Sequence, residues 1–334
     1  MSSFSGNPAL EEFWHPVARA CDVNPGPVSV QLLGKNYAIW QSGNGEFTAV
    51  ADRCPHREAP LSAGCVTEGN LACAYHGWVF ASGGVCVRVP SAEPELPISP
   101  RAHLQTYAIE ERYGLLWLCP KTSGEAIPHI SQEDNPEYRR INTPVDIWQT
   151  SSPRLTDNFM DFSHFPFVHT ATFGNPEETV IPKLELGPLE DGFYGYRYGV
   201  NASNPSAASA TSGQAADVVE REMTTGFQLP FAVRSTIRYR SGLHHILLLL
   251  TTPRDDISSY FTFVVWRNDD FSTPADEIIS FDLAIGAEDK AMLEKIGGTL
   301  PLDLKETLNV QSDKPSVEWR RQFANLLESG LGDR

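Results

Sequence analysis

The sequence predicts an α+β chain of two domains, an all-β unit followed by one that mixes strands with long helices. Three observations carry that expectation. Alternating apolar segments broken by glycine turns fill the first third. A stretch rich in Pro, Ser, Glu and Asn, with little periodicity, occupies 121–146. Two helical patterns then enclose strand-like runs in the remainder. The expected division is a first domain at 1–120, a linker at 121–146 and a second domain at 147–334. At 334 residues the chain is long enough for two cores of ordinary size.

Taken in order, Val28, Val30 and Leu32 alternate with polar residues, and Tyr37, Ile39 and Trp40 follow the Gly34-Lys35-Asn36 turn. Asn44-Gly45, a strong hairpin signal, leads into Phe47, Ala49 and Val50, and a further strand is expected in Tyr113–Leu118. A helix is expected at 154–165. Strands follow at His244–Thr252 and Tyr260–Trp266, around the turn-prone Pro253-Arg254-Asp255-Asp256, then helices at 275–297 and 316–329. The Ser, Ala and Gly of Asn201–Ala216 read as a mobile loop. No internal repeat is present.

Composition excludes several function classes. Hydrophobic residues at 41% and charged residues at 20% are globular values. Acidic side chains outnumber basic ones 42 to 26, and a net charge of −16 repels a phosphate backbone, so nucleic acid is not an expected partner. No apolar run exceeds five residues, as in Ile246–Leu250, where a membrane span needs about 18. The N-terminal stretch shows no secretory signal, and six cysteines are too few for a disulfide scaffold. A reducing cytoplasm is the expected compartment.

Chemistry concentrates in two places. Cys54-Pro55-His56-Arg57 is followed, sixteen residues on, by Cys73-Ala74-Tyr75-His76-Gly77-Trp78. Each loop offers one thiol and one imidazole. Structural zinc more often takes paired cysteines and paired histidines. The mixed pairing suits a [2Fe–2S] cluster with both cysteines on one iron and both histidines on the other. Cys65 and Cys86 read as packing thiols.

The second constellation is Asn158-Phe159-Met160-Asp161-Phe162-Ser163-His164-Phe165-Pro166-Phe167-Val168-His169. On a helix Asp161 and His164 share a face, and Pro166 can break the helix so that His164 and His169 converge. Two histidines and a carboxylate form a facial triad that leaves positions open on Fe(II). In the late helix Asp289, Met292, Leu293 and Ile296 follow i, i+3, i+4, i+7, which puts Asp289 on a buried stripe with Glu288 turned off it. Asp289 is the expected third ligand, because a metal removes the cost of burying it unpaired.

These motifs resemble the Rieske non-haem iron oxygenases, oxygenase component, within the branch of N- and O-demethylases that act on methylxanthines, vanillate and dicamba. The shared stretches are Phe13–Val17, Glu111–Leu118, Asn158–His169 and Phe281–Lys290, and the likeness spans nearly the whole chain. It implies a Rieske β-sandwich followed by a helix-grip, START-like catalytic domain, in a head-to-tail homotrimer. It implies Cys54, His56, Cys73 and His76 as cluster ligands and His164, His169 and Asp289 as ligands of mononuclear iron. Asp161 would bridge His164 to the partner subunit's His76. Bridging cysteines of respiratory Rieske proteins are absent, their positions being Ala59 and Tyr75.

By the same resemblance the reaction is monooxygenation of a small organic substrate with O2, leading to N- or O-demethylation. The chain has no Gly-rich dinucleotide fingerprint, so a separate reductase, with or without a ferredoxin, would oxidise NAD(P)H. Arg53 and Arg57 flank the first cluster loop and could meet an acidic partner. Phe165, Phe173, His244, Trp266 and Asp282 are the expected substrate pocket, with the Asp282 carboxylate favouring a cationic or donor-rich substrate. Two alternatives stay open, a cis-dihydroxylating dioxygenase and a non-catalytic electron carrier.

Overall fold

Period-2 alternation and tight turns make the first third a stack of short antiparallel strands. The computed structural model describes residues 4–24, 26–121 and 125–330. One unit comprises Met1–Ile127 with Thr252–Asp255; the other comprises Pro128–Thr251 with Asp256–Arg334.

In the first unit β1 (His15–Arg19), β2 (Val28–Leu32), β3 (Lys35–Gln41) and β4 (Phe47–Ala51) join β9 (Thr106–Arg112) and β10 (Leu115–Cys119) in a six-stranded sheet of order β1-β10-β9-β4-β3-β2. Four short strands, β5 (Cys65–Thr67), β6 (Asn70–Ala72), β7 (Val79–Phe80) and β8 (Cys86–Arg88), form a second sheet in sequence order. Trp40, Val50, Leu61, Leu71 and Phe80 pack around Cys54 and Cys73 in one core. Cys86 is buried there, as expected of a packing thiol, but Cys65 is exposed.

The second unit contains β11 (Arg139–Asn142), β12 (Asp146–Trp148), α1 (Ser152–Met160), α2 (Phe165–Val168), β13 (Gly187–Pro188), β14 (Tyr194–Ser203) and α3 (Ser209–Ser212). It continues with β15 (Val218–Gln228), β16 (Ala232–Tyr239), β17 (His244–Pro253), β18 (Ser259–Arg267), α4 (Ala275–Ile296) and α5 (Lys314–Ser329). Its eight-stranded sheet runs β11-β18-β17-β16-β15-β14-β13, with β12 also on β18. Ile278, Ile279 and Leu293 of α4 pack on Phe261, Phe263 and Val265 of β18. This is the sheet-and-long-helix layering that the resemblance implied.

Three expectations change. The stretch 121–146 is not simply a linker, because Arg139–Asn142 pairs with Val264–Arg267 and Asp146 pairs with Phe261. Polar composition hid these strands, which sit on the sheet edge where polar residues are tolerated. Asn201–Ala216 is ordered, with β14 running to Ser203 and α3 following, and Asn204 holds its two ends by donating to the carbonyls of Gln214 and Ala216. The helix expected at 154–165 stops at Met160, where Asp161 turns into extended backbone.

Candidate active site

The two cluster loops share one construction. In the first, Cys54 N–H donates to Ala59 carbonyl (2.8 Å) and Glu58 N–H donates back to Cys54 carbonyl (2.9 Å). In the second, Cys73 N–H donates to Trp78 carbonyl (2.9 Å) and Gly77 N–H to Cys73 carbonyl (3.0 Å). The fourth residue after each cysteine adopts a positive φ, 63° at Glu58 and 68° at Gly77. Each turn therefore aims its cysteine inward and its histidine outward. Cys54 and Cys73 are 2% and 3% exposed, whereas His76 is exposed and His56 half-buried.

The imidazoles lie 4.4 Å apart between ring centres, and His56 stacks on Trp78 at 4.7 Å. His56 Nδ1 is buried without a partner. Burial pushes the Cys54 thiol up to about 11, and the neighbouring Cys73 thiol adds to that rise. An orphaned imidazole nitrogen and a buried Cys54 thiol reluctant to ionise are what a bound cation would satisfy. The arrangement also argues against zinc. Among the described residues the only three His, Cys, Asp or Glu donors gathered within 4.8 Å are His164, His169 and Asp289. The Cys–His quartet is spread over two pairs, as a two-iron cluster requires. Arg53 pairs with Glu58 on the surface, and Arg57 is exposed.

In the second unit, one turn of helix brings the histidines together. His164 is the N-cap and His169 the C-cap of α2, which Pro166 opens rather than breaks. The break falls earlier, at residues 161–164. Nε2 of His164 and Nε2 of His169 lie 3.2 Å apart, each 3.5 Å from Asp289 Oδ1. Gly174 lets the chain close under the site. A Cβ there would sit 2.4 Å from the Phe165 carbonyl oxygen and 2.8 Å from that of His169. Asp289 is buried on α4, but the stripe differs from the expected one, since Met292 and Ile296 are exposed. The buried set is Ile278, Ile279, Phe281, Asp282, Asp289 and Leu293.

Each histidine carries a carboxylate on its far nitrogen. His164 Nδ1 is 3.0 Å from Asp161 Oδ2, and His169 Nδ1 is 3.1 Å from Glu288 Oε2. Asp161 reaches His164 by a local turn, its Oδ1 accepting Ser163 N–H and Oγ–H, and not by a shared helix face. Glu288, read from sequence as turned away, also accepts from Thr172 and the Ala171 N–H. The signal for it was its place beside Asp289. Asn158 Nδ2 donates to Asp289 Oδ1 at 3.1 Å. Burial opposes charge on His164, yet Asp161 and Asp289 outweigh it and hold the ring up at about 9; burial leads in keeping His169 below its usual value. Two imidazole nitrogens and a buried carboxylate oxygen converge, each oriented from behind, and this fits a divalent iron.

A cavity of about 120 Å³ opens beside this trio. Phe165, Phe173 and Asp282 line it, as expected, together with Tyr198, Arg221, Tyr239 and the apolar Leu247, Leu249, Phe261 and Phe263. His244 and Trp266 do not. His244 Nδ1 bonds Tyr138 Oη at 2.8 Å, and Trp266 is fully buried with its indole N–H on Glu133. Strand alternation explains the miss, because His245, one register on, is the histidine that turns inward, 3.2 Å from Asp282 Oδ2. Arg267 Nη1 donates to His245 Nδ1, which leaves the proton on Nε2 facing Asp282. Arg267 is bound in turn to Asp269, and Asp269 to Arg139. Asp282 is thus the inner end of a buried charge chain, although its Oδ2 accepts no hydrogen bond.

Comparison with known proteins agrees. Residues 13–108 match the Rieske [2Fe-2S] domain and residues 148–329 the vanillate O-demethylase oxygenase C-terminal domain. The methylxanthine N1-demethylase NdmA of Pseudomonas putida is 30% identical over 96% of this chain and 90% of its own. The vanillate O-demethylase oxygenase subunit of a Pseudomonas strain is 27% identical over 94% of both chains. The solved structure of Pseudomonas putida CBB5 NdmA with caffeine superposes with a TM-score of 0.83 at 28% identity, covering 96% of this chain and 92% of that one. The chain belongs to the Rieske non-haem iron oxygenases, whose oxygenase components carry a [2Fe–2S] cluster and a mononuclear iron and take electrons from a separate reductase.

Proposed function

We propose that this chain is a terminal monooxygenase that hydroxylates an N- or O-methyl group of a small organic substrate, the product then losing formaldehyde. The observation that carries this reading is the trio of His164, His169 and Asp289 set in the wall of an apolar cavity. In this reading Cys54 and Cys73 hold one iron of the cluster, His56 and His76 the other, and His164, His169 and Asp289 the mononuclear iron. When bound, the cluster supplies electrons singly and the iron supplies dioxygen chemistry beside the substrate, one oxygen atom entering the substrate and the other leaving as water.

The protein's share is orientation and exclusion. Asp161 and Glu288 accept from the two Nδ1–H groups, which orients the rings and turns both Nε2 atoms toward Asp289. Phe165 and Phe173 keep water from that side, their rings 4.8 Å apart and Phe173 stacked on His169 at 4.8 Å. The Asp161 side chain stays 23% exposed, and His76 is exposed on its loop. This supports a homotrimer in which Asp161 meets the partner subunit's His76 and carries coupling between protomers. A cytoplasmic setting accords with six cysteines that are all free thiols, and no helix among the described residues is long and apolar enough to cross a membrane.

The test couples the purified protein to a surrogate NAD(P)H reductase, with and without a ferredoxin, and screens methyl-bearing amines and ethers. Formaldehyde release matched by oxygen uptake supports the reading. A cis-diol product would replace it with ring dioxygenation, and iron no greater than the cluster holds would replace it with electron carriage.

A further inference from the structure

One charged group in the cavity wall has no ion-pair partner among the described residues. Arg221 lies on β15, where Arg221, Met223 and Thr225 alternate inward, and it is only 3% exposed. Its Nε is buried without a hydrogen bond, and among the described residues no carboxylate pairs with its guanidinium. Two aromatic faces hold it instead, Phe173 at 5.3 Å and Tyr239 at 5.8 Å. Ring faces offset part of a cation's desolvation and supply no acceptor for its N–H groups.

Of the carboxylates that share this wall, two are hydrogen-bonded elsewhere and none forms an ion pair with Arg221 among the described residues. Asp161 is held by His164 and Ser163, and Asp289 by Asn158 and the two histidines. Asp282 Oδ2 lies 3.2 Å from His245 Nε2 without a hydrogen bond, and behind that ring the chain of Arg267, Asp269 and Arg139 balances its charge. That chain holds two cations and two anions, so Arg221 is left as excess positive charge. Beside it Tyr239 Oη is also buried and unbonded. Burial holds that phenol above its usual pKa, so it stays a donor. A guanidinium whose Nε–H is buried and unbonded, beside a phenol O–H in the same state, makes a receptor for a planar anion.

Resting on the oxygenase reading of this cavity, we propose that the substrate is an organic anion, a carboxylated aromatic held by Arg221 and Tyr239. Phe173 lies between this receptor and His169, contacting both. The carboxylate thus sits one ring away from the metal-binding trio, and the reacting methyl belongs at the opposite end of the substrate. This departs from the expectation of a cationic or donor-rich substrate drawn from Asp282.

The test is calorimetric titration of the loaded, resting protein with methoxybenzoates and their matched methoxybenzamides, which differ in charge and little in shape. We expect at least one benzoate to bind roughly tenfold or more tightly than its amide, the worth of one charge-assisted pair. Arg221→Gln should bring that ratio to about one with the cluster's visible spectrum unchanged, and Arg221→Lys should keep part of it. A wild-type ratio at or below one across the panel overturns the proposal, and so does a panel in which no carboxylate binds. A ratio that survives Arg221→Gln overturns it as well. Formaldehyde from neutral substrates alone would leave the oxygenase reading intact and sink this one. Carboxylate binding without formaldehyde from any methylated compound would do the reverse.

Discussion

Glu288 accepts from His169 Nδ1 at 3.1 Å, while the next residue, Asp289, sits 3.5 Å from Nε2 of the same ring. Successive residues of α4 thus hold one imidazole by both nitrogens. Glu288 also ties down Thr172 and the Ala171 N–H, so it sets the path of the chain after α2 as well as the ring. Glu288→Ala should weaken iron binding at the trio by about 10–100-fold, the usual cost of losing such a partner. Titrating Fe(II) into protein stripped of its mononuclear iron, with cluster absorbance as the control, checks this.

Asp161 supplies the matching support for His164, but at the edge of the site. Asp161→Asn keeps a side-chain acceptor for the ring and removes the charge. Both metals should stay bound, while turnover falls by at least about tenfold. Metal analysis beside turnover distinguishes this from simple loss of iron, and near-normal turnover would remove Asp161 from any bridging role.

Gly286 lies on α4 between Asp282 and Asp289 and lines the cavity, where a Cβ would stand 3.8 Å from the Phe261 ring. Gly286→Ala introduces no clash and should stabilise the helix by up to about 1 kcal/mol. The added methyl narrows the cavity. We expect a higher melting temperature with reduced turnover of the bulkier substrates, read from paired thermal and kinetic measurements.

His15 in β1 is buried, and its Nε2–H donates to the Leu10 carbonyl at 2.8 Å. Burial lowers its pKa from 6.5 to about 4. Below pH 6.5 the unfolded chain takes up a proton that the folded one refuses, so stability is full above 6.5 and falls as the pH drops toward 4. The loss amounts to about 3 kcal/mol. His15→Gln should flatten that part of the acid limb, measured as the denaturant midpoint of the first unit from pH 7.5 to 4.

Metal motifs were legible because ligation demands particular side chains at fixed spacing, and Cys54, His56, Cys73 and His76 meet that demand in the bare sequence. The structure gathers His164, His169 and Asp289 as the spacing leads one to expect, but by different local geometry. Asp161 was placed on a helix that ends before it, since the spacing of an acid and a histidine cannot reveal an Asx-type turn. The expected stripe of Asp289, Met292, Leu293 and Ile296 holds only for Asp289 and Leu293, since Met292 and Ile296 are exposed and α4 covers a cavity lined by acids as well as hydrocarbons.

Pocket residues on strands fared worse. Whether His244 or His245 turns inward depends on register against β16, where Ile237 pairs with His245, and no local pattern fixes that register. Arg221 left no mark in the sequence, where an inward arginine in a strand looks like any surface one. Only its pairing opposite Tyr239 exposes it.

The chain of charges from Arg139 through Asp269 and Arg267, and across the His245 ring to Asp282, runs from a sheet-edge strand to the cavity wall. Its members neutralise one another in series, so deleting an outer rung leaves an odd charge to be felt at the inner end. Selectivity can therefore drift through changes at an edge strand that touches no ligand, and surveys confined to wall-lining positions would overlook that lever.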